Sequence, residues 1–245
     1  MIDRRSFVAL LSGAALAGCQ TTVGGGPISL SSPIFGGGGS RPLTDLDIGN
    51  GLKEALRIGT QRVVGQVGAV DGYNADSLIH ILLPEDLRKV HNTLNKIGLG
   101  SMTADLELKL NRSAERAAPE AKDVFWNAIT EMSLDDVRGI WKGPDDAATQ
   151  YFRGNMTVPL TDRFTPIILD AMSEVGAIRS YDSMMSEYKS IPFVPDVKGD
   201  LTRYTVKKAL GGLFTYVAKE EAAIRKDPAK RTTELLQRVF GALTS

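Results

Sequence analysis

Apolar residues recur every three or four positions from Thr44 onwards, which is the period of an α-helix. The clearest stripe follows Asp200 and consists of Val206, Ala209, Leu210, Leu213, Phe214, Val217 and Ala218. Glycines and prolines separate further stripes of the same kind, and no segment gives a convincing sheet. We therefore predict an all-α fold, a single irregular bundle of about eight to ten helices over residues 43–245.

Several helix starts are predicted at residues whose side chains can accept a hydrogen bond from the first turn: Thr44, Ser101, Ser133 and Asp200. After Thr44 and Ser133, an aspartate three residues later gives the spacing of a capping box. Pro166 lies inside a predicted helix. Because it removes the hydrogen bond to the Asp162 carbonyl, we expect a kink there.

The N-terminal 18 residues have the pattern of an export signal. Arg4 and Arg5 precede an apolar stretch over residues 7–18, which is too short to span a membrane and typical of a signal-peptide core. The arginine pair, one spacer, Phe7 and an aliphatic residue resemble a twin-arginine signal. An ordinary secretory signal that happens to carry two arginines is the alternative.

Cys19 is the only cysteine in the chain, and residues 16–19 read Leu-Ala-Gly-Cys. This stretch resembles the lipobox of bacterial lipoproteins. The resemblance implies cleavage before Cys19, acylation of its sulfur and a membrane anchor in the cell envelope. Gln20 in place of aspartate favours a periplasm-facing position at the outer membrane over the inner one, by analogy with enterobacterial sorting. The alternative is a buried core cysteine behind an uncleaved helix.

Residues 19–42 contain two glycine runs with serines and prolines, and they predict a flexible, disordered tether. At about 5–6 Å times the square root of length, such a tether spans roughly 25–30 Å. The same glycines do not form a phosphate loop, because no lysine–serine or lysine–threonine pair follows them.

Composition narrows the function classes. The chain has 29 basic and 29 acidic side chains, so no basic surplus indicates nucleic acid as a partner. His80 and His91 stand eleven residues apart without a zinc-binding motif, and no serine lies in a hydrolase motif. We expect no metal site and no cofactor.

One polar constellation could carry chemistry: Asp145, Asp146, Thr149, Gln150, Arg153, Glu221 and Arg225. A helix beginning at Pro144 would place Asp146, Thr149, Gln150 and Arg153 on one face, where carboxylates could meet a cation or an amine. The alternative is structural, because acids in a first turn complement the helix dipole.

Glu221 continues the apolar stripe of its helix, and Arg225 four residues later is its obvious partner. A carboxylate on a core face must be paired, or its pKa rises. The pair is therefore either a buried acid lining a pocket or a salt bridge at a helix end that emerges into water, and we favour the second. Arg112 and Glu115 have the spacing of an ordinary surface pair.

Three segments carry a family resemblance: LKEALRIGT at 52–60, GPDDAATQYFR at 143–153 and ALGGLFTYVAKEEAAIRKDP at 209–228. They resemble the domain of unknown function 4197 family of bacterial envelope proteins, over roughly residues 44–241. The resemblance implies an all-helical fold and an envelope location, and it implies no chemistry.

Location and motifs together predict a non-enzymatic envelope lipoprotein that binds a protein partner or an apolar ligand. One alternative is an envelope enzyme in which Asp145, Asp146 and Glu221 converge in a pocket. Another is a carrier of hydrophobic molecules, which predicts an enclosed apolar cavity of several hundred cubic ångströms.

Overall fold

The computed structural model describes residues 42–193 and 200–242. The export signal with Arg4 and Arg5, the lipidation site Cys19 and almost all of the tether lie outside the described residues. The predictions made for them stay predictions.

The described residues form nine α-helices, and no strand occurs in these ranges. The helices are α1 (Asp45–Val67), α2 (Glu85–Lys96), α3 (Gly100–Ala117), α4 (Ala121–Glu131), α5 (Leu134–Trp141), α6 (Ala147–Glu174), α7 (Ala177–Ser190), α8 (Leu201–Lys226) and α9 (Glu234–Gly241). The predicted all-α fold is confirmed. In the described part of the chain, no helix combines the length and the apolar character that crossing a membrane requires.

Three of the predicted helix starts have the expected hydrogen bonds. The Thr44 hydroxyl accepts from the Asp47 N–H at 3.2 Å, and the Asp47 carboxylate accepts from the Thr44 N–H at 3.0 Å. Ser133 and Asp136 form the same capping box, and Asp200 caps α8. These caps were predictable because each depends only on neighbouring residues.

The predicted cap at Ser101 is wrong, because α3 already begins at Gly100. Gly98 ends α2 in the left-handed region, with φ of 82°, where glycine avoids the Cβ strain of other residues. The chain enters α3 two residues later, so Ser101 lies within the first helical turn and not before it.

The helix predicted to begin at Pro144 and the helix predicted around Pro166 are one helix, because α6 runs for 28 residues and includes Pro159 and Pro166. It begins at Ala147 and not at Pro144. Its buried side chains follow a four-residue spacing: Phe152, Met156, Leu160, Phe164 and Ile168. Burial of this stripe against α3, α4 and α8 stabilises the helix despite the backbone hydrogen bonds that the prolines remove.

The core lies between α6, α8 and the helices around them. α6 packs against α8 and α3, and Phe125 of α4 makes edge-to-face contacts with Phe152 and Phe214, with ring centroids 5.2 and 6.1 Å apart. α1 packs against α4, α5, α8 and α9. A Cβ at Gly51 of α1 would lie 2.6 Å from Val239 of α9, so the two helices approach closely there.

The segment between α1 and α2 contains turns and irregular backbone that buried polar groups hold in place. Glu115 accepts hydrogen bonds from the N–H groups of Tyr73 and Asn74 at 3.1 and 3.0 Å, in addition to its ion pair with Arg112 at 2.7 Å. Only 3% of Glu115 is exposed. The prediction that Arg112 and Glu115 form a surface pair is therefore wrong for Glu115. Asn111 likewise bonds the N–H and the carbonyl of Ile81.

Candidate functional site

The side chain of Glu221 in α8 is 5% exposed and binds the beginning of α6. Its two carboxylate oxygens accept hydrogen bonds from the N–H groups of Ala148 and Thr149, each at 2.9 Å. The Thr149 hydroxyl donates a third, also at 2.9 Å. Because the side chain of Asp146, the residue before α6, makes no capping bond, a carboxylate from another helix satisfies these N–H groups.

Arg225 neutralises this carboxylate and binds the end of α5. Its guanidinium lies 3.0 Å from Glu221 and donates to the carbonyls of Ile140 and Trp141 at 2.7 and 3.3 Å. The negative charge thus lies at a helix N-terminus and the positive charge at a helix C-terminus, where each is favoured by the helix dipole. Since both side chains are buried, the interpretation of a pair emerging into water is wrong.

The cavity beside this pair is small. It measures about 20 Å³ and is lined mainly by apolar side chains of α1, α8 and α9, together with Thr60, whose buried hydroxyl has no hydrogen-bond partner among the described residues. A volume of this size holds about one water molecule. Glu221 therefore stabilises the packing of three helices and does not line a space large enough for a ligand.

The other members of the predicted polar constellation are not gathered there. Asp145 is exposed and forms an ion pair with Lys226. Asp146 accepts from the Gln150 side chain at 2.9 Å. Arg153 points to another surface, where its guanidinium lies 5.2 Å from the ring centre of Phe214.

The expected shared face is confirmed for Asp146 and Gln150, whose side chains are hydrogen-bonded, and is wrong for Thr149 and Arg153. Thr149 is buried, with its N–H and its hydroxyl bound to Glu221, whereas Gln150 and Arg153 are exposed. Asp145, Asp146 and Glu221 do not meet in one concave pocket.

A groove of about 780 Å³ runs between α6 and α8, and no motif in the sequence indicates it. One wall consists of residues of α6 at four-residue spacing: Arg153, Thr157, Thr161, Thr165 and Leu169. The other wall and the floor come from α8. Arg153 of α6 contacts Phe214 of α8. From this contact the lining continues to higher residue numbers along α6 and to lower residue numbers along α8, so the two helices are antiparallel. At 1.5 Å per residue the groove is about 20 Å long.

The threonines that line the groove offer little free hydrogen-bonding capacity. The hydroxyls of Thr157, Thr161 and Thr165 each donate to the backbone carbonyl four residues earlier, at 2.6–2.7 Å. Their protons are thus used within α6, and the side chains contribute methyl groups to the wall.

The floor of the groove is apolar. Val206, Leu210 and Phe214 lie beneath it and are each less than 5% exposed. A Cβ added at Gly211 would meet no atom within 4 Å, so this glycine leaves open space in the groove near Phe214.

Basic side chains line the groove at several points. Arg203 pairs with Asp200 at 3.3 Å. Lys207 makes no hydrogen bond or ion pair with the described residues, and Arg153 has no carboxylate partner among them. The groove thus combines an apolar floor with two cations that no acid of the described chain neutralises.

The two histidines serve as hydrogen-bonding residues. His80 contacts the Asn74 carbonyl at 2.7 Å and Glu107 at 2.9 Å, and His91 contacts the Thr103 hydroxyl at 2.7 Å. Within residues 42–193 and 200–242, no group of three or more His, Cys, Asp or Glu side chains could hold a metal ion.

A second polar cluster, which was not predicted from the sequence, joins α3 to α7. Lys109 donates to Asp105 at 2.7 Å and to Ser180 at 2.6 Å, and the Ser180 hydroxyl donates to Asp105 at 2.6 Å. Partial burial alone would raise the pKa of Asp105, but these donors lower it. The ionised carboxylate holds both neighbours, so the cluster acts as a polar contact between two helices.

Comparison with known proteins adds a family and no activity. A family model described as "Protein of unknown function (DUF4197)" matches residues 42–241. Neither a curated protein nor a solved structure matches the chain.

Proposed function

This chain belongs to the DUF4197 family of proteins of unknown function, and we propose its function from its own residues. It is a non-enzymatic, lipid-anchored protein of the cell envelope that binds an apolar ligand in the groove between α6 and α8. The groove carries this proposal. Its volume of about 780 Å³ lies within the 300–1,000 Å³ typical of small-molecule sites, and Leu169 and the threonine methyl groups give its wall apolar surface.

The partners that the candidate carboxylates already have favour ligand binding over catalysis. Glu221 is saturated by Arg225 and by the start of α6, and Asp145 and Asp146 each have a partner of their own. A carboxylate that acts as an acid or a base must reach a substrate, whereas Glu221 is buried, and Asp145 and Asp146 bind neighbouring side chains. Among the described residues that line the groove, Asp200 is the single acid, and it is already paired with Arg203.

The open groove changes the carrier hypothesis. That hypothesis predicted an enclosed cavity of several hundred cubic ångströms, and the cavity beside Glu221 is far smaller. A groove on the surface exchanges its ligand without unfolding of the core. An anchor at Cys19 and a tether of roughly 25–30 Å would keep this groove close to the lipids that supply apolar ligands.

The anchor is tested by replacing Cys19 with alanine and separating membranes from soluble protein. We expect the wild type in the membrane fraction and the variant in the soluble fraction, with equal helical content by circular dichroism. A Cys19→Ala variant that still sediments with membranes would contradict the acyl anchor. Replacing Arg4 and Arg5 with lysines stops export only if the twin-arginine route is used.

Ligand binding is tested by filling the groove. Gly211→Leu places a side chain in the groove. Gly139→Leu makes the same change at an exposed position of α5, where an added Cβ also meets no atom within 4 Å. We expect mass spectrometry of gently extracted protein to find an apolar compound with the wild type and with Gly139→Leu, but not with Gly211→Leu.

Two results would contradict this proposal. The first is a wild-type protein that carries no small molecule, and the second is a Gly211→Leu variant that keeps it. Crosslinking in cells that joins the groove to another protein would favour the protein-partner alternative.

A further inference from the structure

His80 lies in the segment between α1 and α2, and both nitrogens of its imidazole ring face oxygen atoms. Nδ1 lies 2.7 Å from the backbone carbonyl oxygen of Asn74, and Nε2 lies 2.9 Å from Oε1 of Glu107 in α3. The other carboxylate oxygen of Glu107, Oε2, accepts a hydrogen bond from the N–H of Leu83 at 3.1 Å. One carboxylate of α3 thus holds both the ring of His80 and the backbone of the α1–α2 segment.

These partners determine how many protons the ring carries. A backbone carbonyl oxygen can only accept a hydrogen bond, and so can each oxygen of an ionised carboxylate, so both ring nitrogens of His80 have to donate. A neutral imidazole has a single N–H and would point the lone pair of its other nitrogen at an oxygen. The doubly protonated imidazolium satisfies both contacts, and its charge makes the bond to Glu107 a charge-assisted one.

We propose that His80 is doubly protonated in the folded domain, and that its ion pair with Glu107 is a pH-sensitive connection between the α1–α2 segment and α3. A histidine in an unfolded chain is half protonated near about pH 6.5, so at about pH 7 folding takes up a proton. Because the folded domain then binds more protons than the unfolded chain, stability falls as the pH rises from about 6 to about 8. Loss of the proton from Nε2 turns the ion pair into a contact between two acceptors and weakens the connection. This connection is independent of ligand binding in the groove between α6 and α8.

The other charged groups on the elements around His80 have partners of their own. The ion pairs and hydrogen bonds among them are Asp76–Tyr216, Arg112–Asp71, Arg112–Glu115, Lys109–Asp105 and Arg88–Glu85. The hydrogen bond from Tyr216 lowers the pKa of Asp76, and burial raises the pKa of Tyr204, whose hydroxyl donates to the Leu82 carbonyl at 2.8 Å. Neither of these two groups therefore changes its charge between about pH 6 and about pH 8.

The protons on the ring are measured by NMR of the full chain carrying Cys19→Ala, with ¹⁵N in histidine only. The chain has two histidines, so a His91→Gln variant leaves the ring signals of His80 alone. A ring nitrogen with a proton resonates far from one without, and we expect both nitrogens of His80 to be mainly protonated at about pH 7. His91 is the internal comparison, because its one contact, to the Thr103 hydroxyl at 2.7 Å, requires no second ring proton.

A Glu107→Gln variant tests the cause of the protonation. Its amide oxygen can still accept from the Leu83 N–H, and its NH₂ group can donate to a ring nitrogen that has no proton. The variant should therefore keep the contact with His80, and the ring should carry a single proton at about pH 7.

Urea unfolding at several pH values gives a second readout. Between about pH 6 and about pH 8, the equilibrium constant for unfolding should rise roughly three- to ten-fold more in the Cys19→Ala parent than in Glu107→Gln, because only the parent loses the bound proton over this range. The matched control is His91→Gln, which should keep the pH dependence of the parent.

Either of two results would overturn this proposal. The first is a His80 ring with a single proton at about pH 7 in the parent chain, a measurement that stands even where Glu107→Gln fails to fold. The second is an equal dependence of stability on pH in the parent and in Glu107→Gln. A doubly protonated His80 ring together with a shallower pH profile for Glu107→Gln, but not for His91→Gln, supports the connection.

Discussion

Replacing Glu221 with glutamine should destabilise the domain more than almost any other conservative change. The glutamine has nearly the same shape, but it loses the charge and gains an amide NH₂ group. That NH₂ group must face either the N–H groups at the start of α6 or the guanidinium of Arg225, so buried donors point at one another in either orientation. Each buried donor left without an acceptor costs about 1–3 kcal/mol.

The size of the effect follows from the burial of the pair. Glu221 and Arg225 have side chains that are 5% and 6% exposed, so solvent barely screens the charge that remains. Removing one partner of a buried ion pair costs about 3–5 kcal/mol, and we expect the free energy of unfolding to fall by that amount. This is a large share of the roughly 5–15 kcal/mol that stabilises a typical protein.

Urea unfolding followed by circular dichroism measures this change as a lower midpoint with an unchanged slope. In thermal unfolding, about 2–4 °C per kcal/mol corresponds to a melting temperature lowered by roughly 6–20 °C. The matched control is Glu174→Gln, which breaks the pair of Glu174 with Arg116. Both of those side chains are more than half exposed, and the change should cost less than about 1 kcal/mol. A Glu221→Gln variant as stable as this control would refute the buried cap.

Three further predictions test the packing and the ionisation of the domain. Gly211→Ala should stabilise α8 by about 0.5–1 kcal/mol, because alanine has the higher helix propensity and its Cβ would meet no atom within 4 Å. Gly212→Ala should destabilise the domain by about 1–3 kcal/mol, because its Cβ would lie 2.7 Å from the Tyr73 ring. The urea midpoint should rise for the first variant and fall for the second. Ser133→Ala should lower the free energy of unfolding by about 1 kcal/mol through loss of the α5 cap, and a change below about 0.3 kcal/mol would contradict that cap. Burial raises the pKa of Tyr73 above its ordinary value of 10.0, so the unfolded chain loses this proton first and stability should fall as the pH rises above about 10. Tyr73→Phe should make this alkaline loss less steep in urea titrations between about pH 8 and pH 11.

The starts of α1, α5 and α8 could be predicted because each cap lies within three residues of the N–H that it binds. The continuity of α6 could not. No local pattern joins the segment that follows Pro144 to the one that contains Pro159 and Pro166, and the buried stripe of Phe152, Met156, Leu160, Phe164 and Ile168 holds them in one helix. One sequence is thus enough to predict local hydrogen bonds, but it does not predict the tertiary packing that outweighs them.

The candidate site shows the same division. The spacing of four residues identified Arg225 as the partner of Glu221, and the structure contains that pair. The start of α6 lies 72–73 residues before Glu221, and no local pattern indicates that Glu221 caps it. The threonines of the groove have a visible spacing of four, but they form a wall only because α8 lies beside α6.

The close packing of α1 against α9 has a consequence for biosynthesis. Roughly 170 residues separate these helices, and a ribosome that adds 5–20 residues per second needs about 10–30 s to make them. During that time the side of α1 that α9 will cover is open to chaperones and proteases. A translocase that accepts only folded cargo would have to wait until α9 has emerged, whereas one that threads unfolded chains could engage the nascent polypeptide much earlier.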